Sequence, residues 1–302
     1  MKFRGHESFA IRKGWLYKGM SNVKGNSMVF HGAAGNPMDV LGIGANMVKA
    51  LRYWLVAVGL TEEIKNKDGK KLQVFTELGK TIYDNDRYME EIGTLWLIHY
   101  NLACNEDEAT AWYIFFNKFN KQEFDCENFY SAVKKYLNMQ DDDKFASKDR
   151  QIADRSIVED FTCIISTYVQ RAKLNPAQVH PENNIDCPLG ELGLIDVIDK
   201  KKGVYRKSTP KPENLPLLIL LAIIIKTSEG KREVRISDLQ NGDKSIGKVF
   251  NLDSISLINA LYKIEQLGFI KVVRTAGLDV INILTDMNYD ECVKEYYNSL
   301  NS

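Results

Sequence analysis

The chain has 302 residues, 44% of them hydrophobic and 26% charged; that balance excludes disorder and leaves room for two or three domains. Its formal net charge is zero, but the charge is segregated. Residues 1–80 carry 13 Lys and Arg against 6 Asp and Glu, residues 81–200 carry 12 against 22, and residues 201–302 carry 15 against 12, so only the ends of the chain attract DNA.

Five scattered cysteines without C-x-x-C spacing argue against a disulfide framework or zinc knuckle and fit a reducing cytoplasm. The start is charged, so no secretory signal is expected. The longest apolar run, residues 215–225, is about half of what a bilayer crossing needs and reads as a buried helix.

Residues 4–8, Arg-Gly-His-Glu-Ser, open the chain's first problem. Glu7 and Ser8 are expected to start a helix running on through Met20, with Arg4, Arg12 and Lys13 touching phosphate. His6 and Glu7 also have the chemistry of a base and a metal ligand. In the next stretch Met47, Val48, Leu51, Trp54, Leu55 and Val58 recur at helical spacing, which predicts an amphipathic helix over 45–58 ended by Gly59. Two β-prone segments, 60–64 and 72–75, flank a lysine-rich loop with Asp-Gly, a hairpin signal. Thr76 is the N-cap candidate of the helix that follows. Helix, turn, helix and hairpin in this order predict a winged helix-turn-helix.

On the predicted front helix, Asn46, Lys49, Arg52 and Tyr53 are expected to face outward. Asparagine reads adenine, arginine reads guanine and lysine holds phosphate. Lys65, Lys67, Lys70 and Lys71 sit at the hairpin tip, where a wing lies along a nucleic-acid backbone. The alternative is that these are solvated charges on a domain that binds protein. Gly-Ile-Gly-Ala-Asn-Met-Val-Lys (42–49) lacks the Gly-Lys-Ser/Thr ending of a phosphate loop and is a poor nucleotide site.

Residues 85–200 read as a helical, aromatic and acidic domain. His99, in an apolar helix, reads as a core histidine. Asp141–Asp143 read as solvated acids rather than a magnesium site. Asp186, Cys187 and Glu191 cluster around a proline turn, and Cys187 as a nucleophile needs a base that the sequence does not place. The basic, proline-containing stretch 200–216 reads as a linker. The tail repeats the front: helices over 213–230, 236–243 and 252–268, then a hairpin over 269–284. Its outward Ser256, Asn259, Lys263 and Gln266, with Lys271 and Arg274, suit dimerisation or docking more than DNA reading. The expected fold is therefore mainly α with small β-hairpin wings: two winged helix-turn-helix modules, 1–84 and 201–302, flanking a helical middle domain, 85–200.

Seven stretches, among them GHESFAIRKGWLYKG, LGIGANMVKALRYWL, TLWLIHYNLA, WYIFFNKFN and IDCPLGELGLI, resemble the bacterial domain-of-unknown-function family four thousand and seven, over about residues 3–285. The resemblance implies a double-stranded DNA-handling subunit of a DNA phosphorothioate modification system used in phage defence. It implies partners there: a cysteine desulfurase, a sulfurtransferase resembling phosphoadenosine-phosphosulfate reductase, and an ATPase. It also attaches strand nicking to the family; a nickase would usually need a divalent cation, Mg or Mn. His6, Glu7, Asp186 and Glu191 are the candidates for that chemistry, although neither a D…E-x-K nor an H-N-H pattern occurs. Three functions therefore stand: a DNA-binding recruiter, a metal-dependent nickase, and a non-catalytic scaffold or transcriptional regulator, each compatible with a homodimer.

Overall fold

The computed structural model describes residues 1–32, 35–141, 152–170, 187–275 and 278–300. The protein is mainly helical, with small antiparallel sheets. Among the described residues no helix is long and apolar enough to cross a membrane. The chain divides into two compact units, Met1–Glu191 with Ile195–Arg206, and Leu192–Leu194 with Lys207–Ser302. The boundary expected near residue 84 thus falls inside the first unit.

The first unit opens with a non-helical turn. Arg4, Glu7 and Ser8 have φ of 57°, 49° and 69°, left-handed conformations that cannot begin an α-helix. The helix expected from Glu7 starts only at α1, Trp15–Gly25. Helices α2, Pro37–Leu41, and α3, Ala45–Ala57, follow. Helices α1 and α3 approach closely at Gly19, where a Cβ would lie 2.6 Å from Leu55 Cδ1.

Helix α3 ends as its sequence foretold. Gly59 takes φ 72°, its N–H donates to the Val56 carbonyl, and the Leu60 N–H donates to the Leu55 carbonyl, each at 3.0 Å. Those two bonds are a Schellman motif, which satisfies carbonyls the helix leaves open. The chain runs directly into β1, Thr61–Lys65, which pairs with β2, Lys71–Phe75. Thr76 then caps α4, Glu77–Asn85, accepting from the Gly79 N–H at 2.9 Å.

Helix α5, Ile92–Cys104, is buried along most of its length. Helix α6, Thr110–Tyr113, continues into a π-helical turn, Ile114–Lys118. There Asn117 is buried and donates to the Ala103 and Tyr113 carbonyls. Then come β3, Glu123–Phe124, and helices α7, Cys126–Asp141, and α8, Asp154–Tyr168. His99 lies in the core as expected, fully buried and hydrogen-bonded through Nδ1 to the Tyr168 hydroxyl at 2.8 Å.

The acidic middle is not purely helical. Strands β4, Ile195–Asp199, and β5, Val204–Lys207, form a sheet with β3 in the order β3-β5-β4. The expected linker 200–216 therefore contains a central strand. Phe124 and Tyr205 pair across it, both near the Phe161 ring, so aromatic burial overrides the linker-like composition.

In the second unit α9, Leu217–Ser228, is apolar nearly all round and is flanked by other helices. Strand β6, Glu233–Arg235, and helices α10, Ile236–Asn241, and α11, Ile246–Val249, precede α12, Ser254–Gln266. Asp253 caps α12 by accepting from the Ser256 N–H at 2.7 Å. Strands β7, Ile270–Thr275, and β8, Leu278–Ile283, form the expected hairpin, whose turn residues 276–277 lie outside the described residues. Strand β6 adds a third strand against β8. A final helix α13, Tyr289–Leu300, packs on α9.

Candidate nucleic-acid interface

The Arg-Gly-His-Glu-Ser segment is a clasp inside the first unit. His6 is fully buried and its Nε2 lies 2.6 Å from Asp160 Oδ1 on α8. The Ser8 N–H donates to His6 Nδ1 at 3.1 Å. A nitrogen that accepts carries no proton, so the ring's proton sits on Nε2 and is donated to Asp160. The imidazole stacks on Trp54 at 6.0 Å and meets Trp112 edge-on at 5.8 Å. Both ring nitrogens are thus engaged, and neither faces solvent.

Asp160 also accepts from the Arg4 N–H at 2.9 Å. Its other oxygen, Oδ2, is buried without a partner among the described residues. Burial pushes the carboxyl above its usual range, and the hydrogen bond from His6 opposes that. Gly5 is required by contact rather than by φ: a Cβ there would stand 2.4 Å from Cε2 of the Tyr53 ring. Arg4 pairs with Glu159. The Arg12 guanidinium lies over the Phe9 and Trp15 rings, at 5.8 and 5.1 Å, while Lys13 is exposed.

Tyr53 does not face outward as the helical wheel predicts. It is 7% exposed, sits under Gly5, and has the Lys2 ammonium 5.2 Å from its ring centre. It lies only about 40° around the helix from Lys49, but the amino-terminal segment covers that side. Asn46 and Lys49 are exposed as expected.

Lys49, Arg52, Tyr53, Lys71 and Glu7 do come together, around a cleft of about 510 Å³ that Lys2, Glu63 and Glu108 also line. Three of the cations there are matched by carboxylates. Arg52 Nε donates to Glu63 Oε1 at 2.5 Å, Lys2 pairs with Glu108 at 2.9 Å, and Lys49 stands 4.0 Å from Glu7. The Arg52 hydrogen bond holds Glu63 below the usual carboxylate range, against a smaller opposing effect of burial. His31 feels the charges of Arg52, Glu63 and Lys71. Burial, then Arg52, lowers its affinity for a proton, and its Nε2 is buried without a partner.

The hairpin tip differs from the cleft. Lys65, Lys67, Lys70 and Lys71 are all exposed, and among the described residues none forms an ion pair. The turn that presents them is built by Asn66, whose Oδ1 accepts from the Asp68 and Lys70 N–H groups, with Gly69 at φ 76°. The hairpin's root is fixed. Gln73 is buried, its side chain donates to Thr61 Oγ1 at 2.7 Å, and its N–H donates to the Ser27 carbonyl at 2.8 Å.

His6 lies in the clasp, Glu7 on the cleft, and Glu191 is exposed in a short 3₁₀ segment, Pro188–Leu192. Asp186 lies outside the described residues, as do Asp142 and Asp143. Cys187 is buried. Asp160, Glu63, Glu108 and His31 escape sequence reasoning. For Asp160 one signal existed: it shares the apolar stripe of α8 with Ile157, Phe161 and Ile164, and an acid in such a stripe demands a partner.

The family described as Protein of unknown function (DUF4007) matches residues 3–297. The chain belongs to the DUF4007 family. Within that family's span lie the clasp, the cleft and both hairpins. No curated protein gives a match. Two solved structures are similar, one of magnesium ion-bound SspB and one of SspB. Each has a TM-score of 0.82 and 25% identity, and each match covers 100% of this chain and 89% of that chain. The magnesium ion belongs to the SspB structure. Among the described residues of this DUF4007 chain, no three His, Cys, Asp or Glu side chains converge on a cation position.

Proposed function

We propose that this chain is a double-stranded DNA-binding subunit of a bacterial DNA phosphorothioate modification system. It grips the sugar-phosphate backbone with the β1–β2 hairpin and lays the exposed edge of α3 along the duplex. The system-level part rests on the family resemblance, and the likeness to SspB supports it. The carrying observation is the set of four exposed lysines, without ion-pair partners among the described residues, on a hairpin whose root is anchored, next to exposed Lys49. Lysines without carboxylate partners are free to release counterions from DNA.

In this reading α2, α3 and the β1–β2 hairpin act as one winged helix, and α9, α10, α12 and the β7–β8 hairpin as another. Arg52 exchanges Glu63 for a phosphate on binding, since a guanidinium fork suits either anion. Cysteine desulfurase, sulfurtransferase and ATPase subunits are the partners it recruits.

Fluorescence anisotropy with labelled duplex DNA tests this reading. Lys67→Ala with Lys70→Ala weakens binding at low salt and shallows the salt slope by about 0.9 for each phosphate no longer neutralised. An unchanged slope removes the hairpin from the interface. A supercoiled-plasmid assay with Mg or Mn, run in parallel, reads out the nickase alternative. His6 is committed to Asp160, so that alternative rests on Glu7, Asp186 and Glu191, and Glu7→Gln is the informative variant.

A further inference from the structure

The second unit carries a groove of about 620 Å³ between α10, α12 and the β7–β8 hairpin. Its floor is apolar, formed by Ile236, Ile258 and Val280. Its rim is polar: Arg235 stands at the junction of β6 and α10, Asn241 at the end of α10, Ser254 at the start of α12, and Thr275 at the end of β7. Among the described residues, the side chains of these four make no hydrogen bond or ion pair. The one carboxylate lining the groove, Asp279, is already held by Arg274 through a forked pair at 3.2 and 3.5 Å. What remains vacant is a cation and three neutral groups that can donate.

A pocket built for an apolar small molecule is walled mainly by hydrophobic and aromatic side chains. This groove has no aromatic wall. An anion satisfies a free guanidinium, an amide and two hydroxyls together, whereas a second cation would face Arg235 with no free carboxylate to offset it. The groove is also lined from two helices and a hairpin at once, which suits a run of phosphodiesters rather than one phosphate.

We infer that this groove is a second DNA-backbone contact, independent of the hairpin lysines of the first unit. The inference rests on the proposed DNA-handling role, and it assigns the carboxy-terminal unit to nucleic acid instead of to dimerisation or docking. Arg235 makes the charged contact, and Asn241, Ser254 and Thr275 hydrogen-bond the flanking phosphate oxygens. Positioning contacts of this kind carry no sequence information.

The full-length chain and labelled duplex DNA test it, with anisotropy read across a salt series. Arg235→Ala, an exposed position, is expected to weaken binding about three- to tenfold and to lower the salt slope by about 0.9, the value for one phosphate. Asn241→Lys adds a charge to the same groove and is expected to tighten binding by a similar factor. If Lys67→Ala with Lys70→Ala weakens binding while both groove variants match wild type, the groove inference is overturned and the hairpin reading stands. The reverse pattern keeps the groove and removes the hairpin. No binding by the wild-type chain at low salt overturns both. Inorganic phosphate at constant ionic strength separates the two anion sources. If phosphate raises the thermal stability of wild type but not of Arg235→Ala while the two bind DNA alike, the groove is an isolated phosphate site and the backbone inference fails; if Arg235→Ala binds DNA more weakly and millimolar phosphate narrows that difference by competing for the groove, the inference is supported.

Discussion

His6 and Asp160 are 154 positions apart in sequence and share a buried hydrogen bond of 2.6 Å. The bond fastens the amino-terminal turn to α8. Replacing Asp160 by Ala leaves the buried His6 Nε2–H and the part-buried Arg4 N–H without that acceptor. At roughly 1–3 kcal/mol for each orphaned group, Asp160→Ala is expected to cost about 2–4 kcal/mol, measured by denaturant unfolding. Asp160→Asn keeps an acceptor oxygen for both donors and removes a buried charge. Burial raises the Asp160 carboxyl in the folded state, so ionising it opposes folding. This contribution is most favourable below the unfolded value of about 3.9 and is lost as pH rises through the folded value. Asp160→Asn should therefore flatten that part of the stability–pH curve; a curve parallel to wild type would contradict the assignment.

Gly5 should tolerate no side chain. A Cβ there meets the Tyr53 ring at 2.4 Å, and that ring is buried. Gly5→Ala is expected to cost about 1–3 kcal/mol, as overpacking does. Pairing it with Tyr53→Leu, which removes the obstructing ring, should recover part of the loss in a double-mutant cycle.

In the proposed reading Glu63 competes with DNA for Arg52. Glu63→Gln removes the competing charge and is expected to raise DNA affinity several-fold at low salt. In the wild type Arg52 lowers the Glu63 carboxyl, so the pair supports folding above the unfolded value of about 4.3 and loses that support as pH falls through the lower folded value. Glu63→Gln should remove this acid-side component. Weaker DNA binding by Glu63→Gln would show that the pair positions Arg52 instead of restraining it.

Lys207 is buried, and burial, with the Lys248 charge second, brings its proton affinity down to about 7. The folded chain then releases a proton that the unfolded chain holds until about 10.4. Stability of the second unit should rise with pH between about 7 and about 10.4. Lys207→Met should remove the rise, and thermal unfolding across that range reads it out.

The elements legible in the sequence were those fixed by local rules. Helix α3 showed its stripe and its terminal glycine, the first hairpin its Asp-Gly turn, α4 its threonine cap, and the tail its three helices and hairpin. What escaped was decided by distant partners. Strand β3 has two residues and pairs with Arg206 and Tyr205, too short for any alternation to register. Tyr53 lay on the predicted outer face until Gly5 crossed it. The cleft's carboxylates, Glu7, Glu63 and Glu108, come from three separate stretches, and no spacing rule joins them.

Because the turn at residues 4–9 hydrogen-bonds a side chain of α8, the order of synthesis matters. A ribosome must deliver some 160 residues before His6 meets its acceptor, and contacts of such long separation form late. A fragment stopping near residue 84 would carry the hairpin and its lysines but leave the histidine ring without Asp160 and Trp112. Dissecting this chain for binding work therefore calls for cuts after the first unit rather than within it.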